Sequence, residues 1–176
     1  STNHPQAPGF TLDHIPDIAN GTDKQRVDTN LAAIRLMKTI TKEKRLANDS
    51  EKEVLAKYVG WGGLSFVFDK GSSRKYAQEA DKELRSLLTE TEYNQIREST
   101  RTAFYTSKPI VKAMWKGVES FGLGKTRMNV VEPSVGSGNF IGWQPVSMRE
   151  KTSWSAAELD TVTGNIAKLI YDDANV

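Results

Sequence analysis

The sequence predicts an α/β fold in which a helical N-terminal region precedes the first part of a parallel, doubly wound sheet. Three observations support this class. Residues 22–101 place apolar side chains at helical spacing between charged ones. Residues 128–140 are typical of a short apolar strand, a turn with two glycines and the start of a helix. Residues 154–171 repeat this order, with a strand at residues 154–159 and a helix at residues 161–171, which is how parallel strands are connected.

The composition describes a polar globular chain and excludes several kinds of site. The 176 residues carry a net charge of +2, which neither requires nor excludes nucleic acid as a partner. Without cysteine, disulfides and thiolate metal sites are excluded. His4 and His14 both lie near the N-terminus, so we expect no metal. The chain lacks an apolar run of membrane-spanning length, so we expect no membrane segment. The absence of cysteine fits a reducing environment, so we expect a cytoplasmic location.

The first hundred residues predict a leader followed by four amphipathic helices. Residues 1–21 contain three prolines and no hydrophobic period, which predicts an extended leader. A first helix follows from residue 22. Ser50 with Glu53 forms a capping-box pattern that predicts the start of a second helix, and residues 76–88 predict a third. Thr89 with Glu92 forms a second such pattern and predicts the start of the fourth.

A cluster of glycines and aromatics at residues 60–68 interrupts these helices. Trp61, Phe66 and Phe68 surround Gly60, Gly62 and Gly63. Two interpretations exist for such a cluster, namely a hydrophobic plug against the neighbouring helices or a platform on which nucleic-acid bases stack. Core packing is the more common arrangement, and it is our prediction here.

A fifth helix is predicted between the helical region and the first strand. Ser107 is a candidate N-cap, Pro109 suits a first turn, and Gly122 has the position of a C′ glycine. The basic residues Arg97, Arg101 and Lys108 lie close to the fourth helix, where they are suited to phosphate contacts, although a solvated surface is the more common role.

The glycine turn after the first strand is compatible with several ligands. A dinucleotide fingerprint needs a small residue at position 141, which is Ile141. A Walker-type loop ending at Gly124 needs a glycine at position 119, which is Glu119. What remains is the form Glu-Pro-x-x-Gly-x-Gly-x-Phe at residues 132–140, or a glycine-rich turn with no ligand.

Three stretches in a fixed order resemble one enzyme family. Phe104-Tyr105-Thr106, residues 132–140 and Glu158-Leu159-Asp160 resemble motifs X, I and II of the S-adenosylmethionine-dependent adenine-N6 DNA methyltransferases. Residues 52–64 and 87–115 also resemble the large methylase–helicase proteins of phages and plasmids. The resemblance implies a Rossmann-like cofactor domain at residues 102–176, after a helical region at residues 22–101.

The resemblance also implies a set of cofactor-binding residues. Glu158, which follows the second strand, is suited to accept hydrogen bonds from both ribose hydroxyls, as acids do in dinucleotide folds. Tyr105 and Thr106 are expected at the methionine end, and Leu159 against the adenine. The full predicted set is Phe104, Tyr105, Thr106, Glu132, Pro133, Gly136, Gly138, Phe140, Glu158 and Leu159, with Phe140 also expected in the core.

The sequence departs from the family at three places. Ala157 stands where the family has glycine, and Asp172-Asp173 replaces a Tyr-Pro ending that we take as a surface change. No Pro-Pro pair exists in the 176 residues, so the catalytic Pro-Pro-aromatic loop is missing and no catalytic residue is predicted. We therefore expect a methyltransferase fragment whose parent protein binds DNA. The alternative is a naturally short, non-enzymatic protein that binds a protein or nucleic acid, such as a phage anti-defence factor.

The edge of the predicted sheet is a further expected feature. In a complete fold of this class the first strand lies in the middle of the sheet, with strand four on one side. The sequence predicts only two strands and the beginning of a third at residues 174–176. An uncovered edge at residues 129–132 is therefore expected to pair with a second copy, a partner protein or the leader.

Overall fold

The computed structural model describes residues 9–16 and 18–176. These residues form eight α-helices and a two-stranded parallel sheet, in agreement with the predicted α/β class. The helices are α1 (Asp23–Glu43), α2 (Asp49–Leu55), α3 (Lys75–Leu87), α4 (Glu90–Ser99), α5 (Lys108–Ser120), α6 (Asn139–Gly142), α7 (Val146–Arg149) and α8 (Thr161–Ile170), and the strands are β1 (Met128–Glu132) and β2 (Thr152–Ala156). None of these described helices is long and apolar enough to span a membrane.

The leader packs against the sheet region over its described part. Leu12 is buried and its N–H donates to the Gly142 carbonyl at 2.9 Å. A 3-10 turn follows at Ile18–Asn20. This differs from the expected extended leader because burying Leu12 removes apolar surface from water. The rest of the predicted leader, residues 1–8 and 17 with His4 among them, lies outside the described residues.

The capping boxes fix the starts of the short helices. The predicted box at Thr89–Glu92 is confirmed at the start of α4. The box predicted at Ser50 and Glu53 is wrong. Asn48 caps α2 instead, since its side chain accepts from the Glu51 N–H at 3.0 Å and the Glu51 carboxylate accepts from the Asn48 N–H at 2.9 Å. The same polar-x-x-Glu spacing occurs twice, and the earlier copy forms the cap.

Helix α5 begins and ends where the sequence predicts. Pro109 lies in its first turn, and Gly122 follows its C-cap with a φ of +79°. Ser107 is the N-cap residue, but its side chain makes no capping hydrogen bond. The predicted boundaries of α5 are therefore confirmed. Ser107 occupies the predicted N-cap position, but the prediction that its side chain caps the helix is wrong.

An aromatic cluster forms the core of the helical region. The Trp61 side chain is 0% exposed and meets Phe68 edge-on at a centroid distance of 5.4 Å. Phe68 in turn meets Tyr93 of α4 at 5.6 Å. The predicted hydrophobic packing is confirmed, and the buried Trp61 is inaccessible to a nucleic-acid base.

Helix α8 joins the helical region to the sheet. It packs on one side against α1, α2 and α4 through buried residues that include Val162, Ile166 and Ile170. Buried side chains from both predicted regions form one hydrophobic core. The apolar residues of α8 therefore pack on the helical region and belong to a hydrophobic core that both regions share.

The sheet is parallel and in the predicted order. Met128 pairs with Thr152 and Glu132 with Ala156. The second strand was predicted at residues 154–159, but it ends at Ala156, because the chain beyond turns back so that Glu158 bonds to the glycine turn. Asn175 forms a single parallel bridge with Ser155, which places the predicted beginning of a third strand beside β2.

Two aspartates after α8 make ion pairs, contrary to the expected surface role. Asp172 accepts from Lys52 at 2.9 Å, and Asp173 accepts from the buried Arg149 at 2.7 Å. Arg149 also donates to the Ile141 carbonyl at 2.7 Å. These two aspartates therefore connect the end of α8 to α2 and α7.

The outer edge of β1 is open among the described residues. The Met128 N–H donates to Lys151, and the Glu132 carbonyl accepts from Ala157, so both residues face β2. Because alternate residues of a strand point to opposite edges, the backbone groups of Asn129 and Val131 face away from β2. The Val131 side chain is 73% exposed. The described leader residues do not pair with this edge, so the leader does not fill it there.

We expect this edge to mediate self-association. Two copies of β1 can pair antiparallel about a two-fold axis, which satisfies the Asn129 and Val131 backbone groups on both chains. Light scattering should show a concentration-dependent mass, with slower hydrogen exchange at these amides as concentration rises. Val131→Lys should abolish both effects, while Leu46→Lys, an equally exposed apolar position in the helical region, should not. A monomer at all concentrations would contradict the prediction.

Candidate functional site

The glycine turn at the carboxyl end of β1 is held by backbone hydrogen bonds to the chain after β2. Gly136 and Gly138 have φ angles of +54° and +86°, which L side chains rarely adopt. The Val135 N–H donates to the Ala157 carbonyl at 2.9 Å, and the Gly138 N–H donates to Val135 at 2.9 Å. These hydrogen bonds therefore fix the shape of the turn.

Glu158 connects this turn to the start of α8. One carboxylate oxygen accepts from the Gly136 N–H at 2.8 Å, and the other accepts from the Asp160 N–H at 3.0 Å. Each carboxylate oxygen has two lone pairs, so each retains acceptor capacity for another donor. Glu158 is therefore both a structural brace of the turn and an available acceptor.

A cavity of about 630 Å³ opens beside this turn. It brings together seven of the ten predicted residues: Phe104, Tyr105, Thr106, Gly136, Phe140, Glu158 and Leu159. The other three do not line it. Glu132 accepts from the Ser134 N–H at 3.2 Å, Pro133 lies on the exposed turn, and a Cβ on Gly138 would lie 2.2 Å from the Tyr171 ring. In this arrangement Gly138 is needed for packing.

The cavity is acidic. Its described lining includes Glu98, Glu158 and Asp160 and no Lys, Arg or His. Burial raises the pKa of Asp160, and the neighbouring Glu158 charge raises it further. Such a lining favours a cationic ligand or one rich in hydroxyl groups, and it disfavours phosphates. Among all described residues there is no group of three or more His, Cys, Asp or Glu suited to a metal ion.

Two exposed apolar side chains stand at the rim of the cavity. Phe104 is 69% exposed and Leu159 is 90% exposed, although both are large and hydrophobic. A planar ligand group bound between them would remove this apolar surface from water. The backbone of Leu159 is held by α4, where Gln95 donates to its carbonyl at 3.4 Å.

The Tyr105 ring lies between two glycines from different regions. A Cβ added to Gly60 would lie 2.7 Å from the Tyr105 hydroxyl, and one added to Gly136 would lie 2.8 Å from its ring. Both glycines also have positive φ. Burial raises the pKa of Tyr105, so the phenol stays protonated at neutral pH. Tyr105 thus connects the helical region with the glycine turn.

Several site residues were not predicted from the sequence. Asp160 caps α8 and accepts from the Thr163 hydroxyl at 2.6 Å, and that hydroxyl lies 3.1 Å from the Tyr58 hydroxyl. Asn139 donates to the Thr106 carbonyl at 2.9 Å. The capping role of Asp160 has a sequence signal, an aspartate just before an apolar helical pattern. Gln95 and Glu98 have none, because they reach the cavity through tertiary packing of α4.

Comparison with known proteins gives one relative and no assigned family. No family model matches the chain, and no solved structure matches it. The chain is similar to "Defense against restriction protein B" of Escherichia phage P1, with 27% identity over 154 residues. The similarity covers 88% of this chain and 5% of the phage protein. The chain therefore corresponds to a small part of that relative's length.

Alanine substitutions at three glycines test the contact between Tyr105 and the turn. Gly117→Ala, inside α5 with nothing within 4 Å of the new Cβ, should stabilise by about 0.5–1 kcal/mol. Gly122→Ala, with positive φ but open space, should cost about 1–2 kcal/mol. Gly136→Ala adds the clash with Tyr105 and should cost about 2–4 kcal/mol.

Urea unfolding of the three variants measures these differences. Combining Gly136→Ala with Tyr105→Ala should remove the clash, so the added cost of the glycine change falls to that of Gly122→Ala. Equal costs at Gly136 and Gly122 in the parent background would show that the Tyr105 contact does not constrain the turn.

Proposed function

We propose that this chain binds S-adenosylmethionine in the acidic cavity, as the cofactor-binding part of an adenine-N6 DNA methyltransferase. The observation that carries the proposal is Glu158, which lines the cavity and bonds to the Gly136 N–H at 2.8 Å. Its carboxylate keeps acceptor capacity for the two hydroxyls of a ribose. The cavity volume of about 630 Å³ falls in the range of cofactor sites.

The charge of the lining supports this cofactor over nucleotides that carry phosphates. S-adenosylmethionine has a sulfonium and an ammonium group, and three carboxylates line the cavity. A dinucleotide or a nucleoside triphosphate would bring several negative charges to the same carboxylates. The absence of a basic residue from the described lining therefore favours the cationic cofactor.

The shape of the cavity suggests how the cofactor lies. In this proposal the adenine sits between the exposed Phe104 and Leu159 side chains, and the ribose binds Glu158. The methionine end extends toward Tyr105 and Thr106. Glu132 and Gly138 support the turn from outside the cavity. The Rossmann-like architecture belongs to the same proposal, supported by the parallel order of β1, β2 and Asn175.

Methyl transfer by this chain alone is not part of the proposal. Amino-group methyltransferases hold a flipped base with a Pro-Pro-aromatic loop, and the 176 residues contain no Pro-Pro pair. The cations in and just after α1 also have acidic neighbours, as in the pairs of Arg35 with Glu83, Lys38 with Glu92 and Arg45 with Glu51. We therefore propose only weak, salt-sensitive and non-specific contact with DNA.

A second candidate function is protection of DNA against restriction through binding alone. The printed name of the phage P1 relative, "Defense against restriction protein B", supports this role, at 27% identity. In this proposal the chain acts without a cofactor, by occupying a restriction enzyme or its DNA.

Titration calorimetry tests the cofactor proposal. We expect weak binding of S-adenosylmethionine that Glu158→Gln weakens about 10- to 100-fold, because a hydrogen bond to a charged group contributes about 1.5–3 kcal/mol. Glu150→Gln, an exposed acid at the other end of the sheet, is the control and should leave the affinity unchanged. Glu132→Gln should have a smaller effect than Glu158→Gln. Equal affinities for Glu158→Gln and the parent would remove Glu158 from the site.

Restriction digests distinguish the two candidate functions. If the chain acts by binding alone, adding it to a DNA digest should slow cleavage in the absence of S-adenosylmethionine. The Glu158→Gln variant should then slow cleavage equally, since the cofactor plays no part. If the chain is a cofactor-binding part only, cleavage should proceed at the control rate. Inhibition that appears only with the cofactor would contradict the binding-only role.

A further inference from the structure

A second cavity, of about 410 Å³, shares residues 103–106 and Asn139 with the acidic cavity. Its other walls come from different elements. They include the leader residues Leu12, Ile15 and Pro16, the start of α5, and Trp143 after α6. The proposed cofactor site does not use these walls, so this cavity calls for a separate explanation.

The charge of the second cavity is opposite to that of the first. Arg26 and Lys108 line it, and its described lining contains no Asp or Glu. Lys108 lies 3.8 Å from Asp13, but Asp13 already accepts from Lys112 at 2.7 Å. One carboxylate thus faces two ammonium groups, which leaves an excess of positive charge among the described residues at this end of the cavity.

Arg26, the other cation of this cavity, also shares its carboxylate partner with a second cation. Its guanidinium lies 3.7 Å from Asp23, and Asp23 is also paired with Arg74 at 2.9 Å. Arg26 also donates to the Gly62 carbonyl, which fixes its position at the cavity wall. A guanidinium held in place by the backbone is suited to bind an oxyanion.

The remaining walls combine apolar surface with available donors. Leu12, Pro16 and Trp143 form an apolar side. The Ser107 hydroxyl makes no capping bond, and the buried Trp143 indole N–H has no partner among the described residues. A ligand suited to this cavity therefore has a flat or apolar part and an anionic part.

We propose that this cavity binds a nucleotide, with the base against Leu12, Pro16 and Trp143 and the 5′-phosphate between Arg26 and Lys108. Bases bind aromatic and apolar surfaces with little regard to sequence, and Arg and Lys are the usual phosphate ligands. The nucleotide is either free or part of a single DNA strand, since both present the same chemistry. This proposal does not rest on the S-adenosylmethionine site.

Calorimetry with thymidine 5′-monophosphate tests the proposal. Thymine is used because adenine nucleotides also resemble the ligand proposed for the acidic cavity. Binding of the nucleotide should be tighter than that of thymidine or of inorganic phosphate. Equal binding of phosphate alone would overturn the role of the apolar wall, and equal binding of thymidine would overturn the role of the cations.

Three charge variants are expected to weaken, to tighten and to leave unchanged the affinity for the nucleotide. Lys108→Gln should weaken nucleotide binding about fivefold or more by removing one phosphate contact. Asp13→Asn should tighten binding, because it removes the carboxylate that competes for Lys108. Lys116→Gln, on the same helix but outside the cavity, should leave the affinity unchanged. If Lys108→Gln and Lys116→Gln have equal effects, the phosphate does not bind here.

A thymidylate hexanucleotide distinguishes the two sources of the ligand. If a DNA strand is the ligand, the hexanucleotide should bind more tightly than the mononucleotide. Lys108→Gln should then reduce the slope of log affinity against log salt concentration for the hexanucleotide by about one. If a free nucleotide is the ligand, the mononucleotide should bind at least as tightly. If neither the hexanucleotide nor the mononucleotide binds, the proposal is overturned. Glu158→Gln should leave nucleotide binding unchanged even if it abolishes binding of S-adenosylmethionine.

Discussion

The placement of the Tyr105 ring between Gly60 and Gly136 is the contact on which the arrangement of the site depends. A side chain at either glycine would overlap the tyrosine, so the backbone approaches the ring from both sides. Gly60 lies in the loop that follows α2, and Gly136 belongs to the glycine turn after β1. One aromatic ring therefore sets the spatial distance between two glycines that are 76 residues apart in the sequence.

This contact also explains why two cavities of opposite charge lie next to each other. Residues 103–106 pass between the helical region and the glycine turn, and they line both cavities. The acids of the first cavity come from the chain after β2 and from α4, whereas the cations of the second come from α1 and α5. The segment around Tyr105 thus separates a region that favours cations from one that favours anions.

Much of the fold follows from local patterns, and the site follows from them in part. The helices other than α7, the parallel strand order and seven cavity residues were predictable, because hydrophobic period and glycine position are local signals. The cap at Asn48 was not predictable, because two neighbouring positions offer the same capping-box spacing. The end of β2 was not predictable either, because it depends on the tertiary hydrogen bond between Glu158 and Gly136. Glu98 and Gln95 were also missed, since only the packing of α4 against α8 brings them to the cavity.

Packing of helices on one face of the sheet explains how so small a sheet is stable. Two parallel strands bury little surface by themselves, and one face here carries the exposed Asn129, Val131, Ser153 and Ser155. Stability must therefore come from the other face, where Trp154 of β2 is buried and meets Trp115 of α5 edge-on at a centroid distance of 5.9 Å. Residues of α4 and of the glycine turn both line the acidic cavity, so the helical region forms part of the cavity wall as well as of the core.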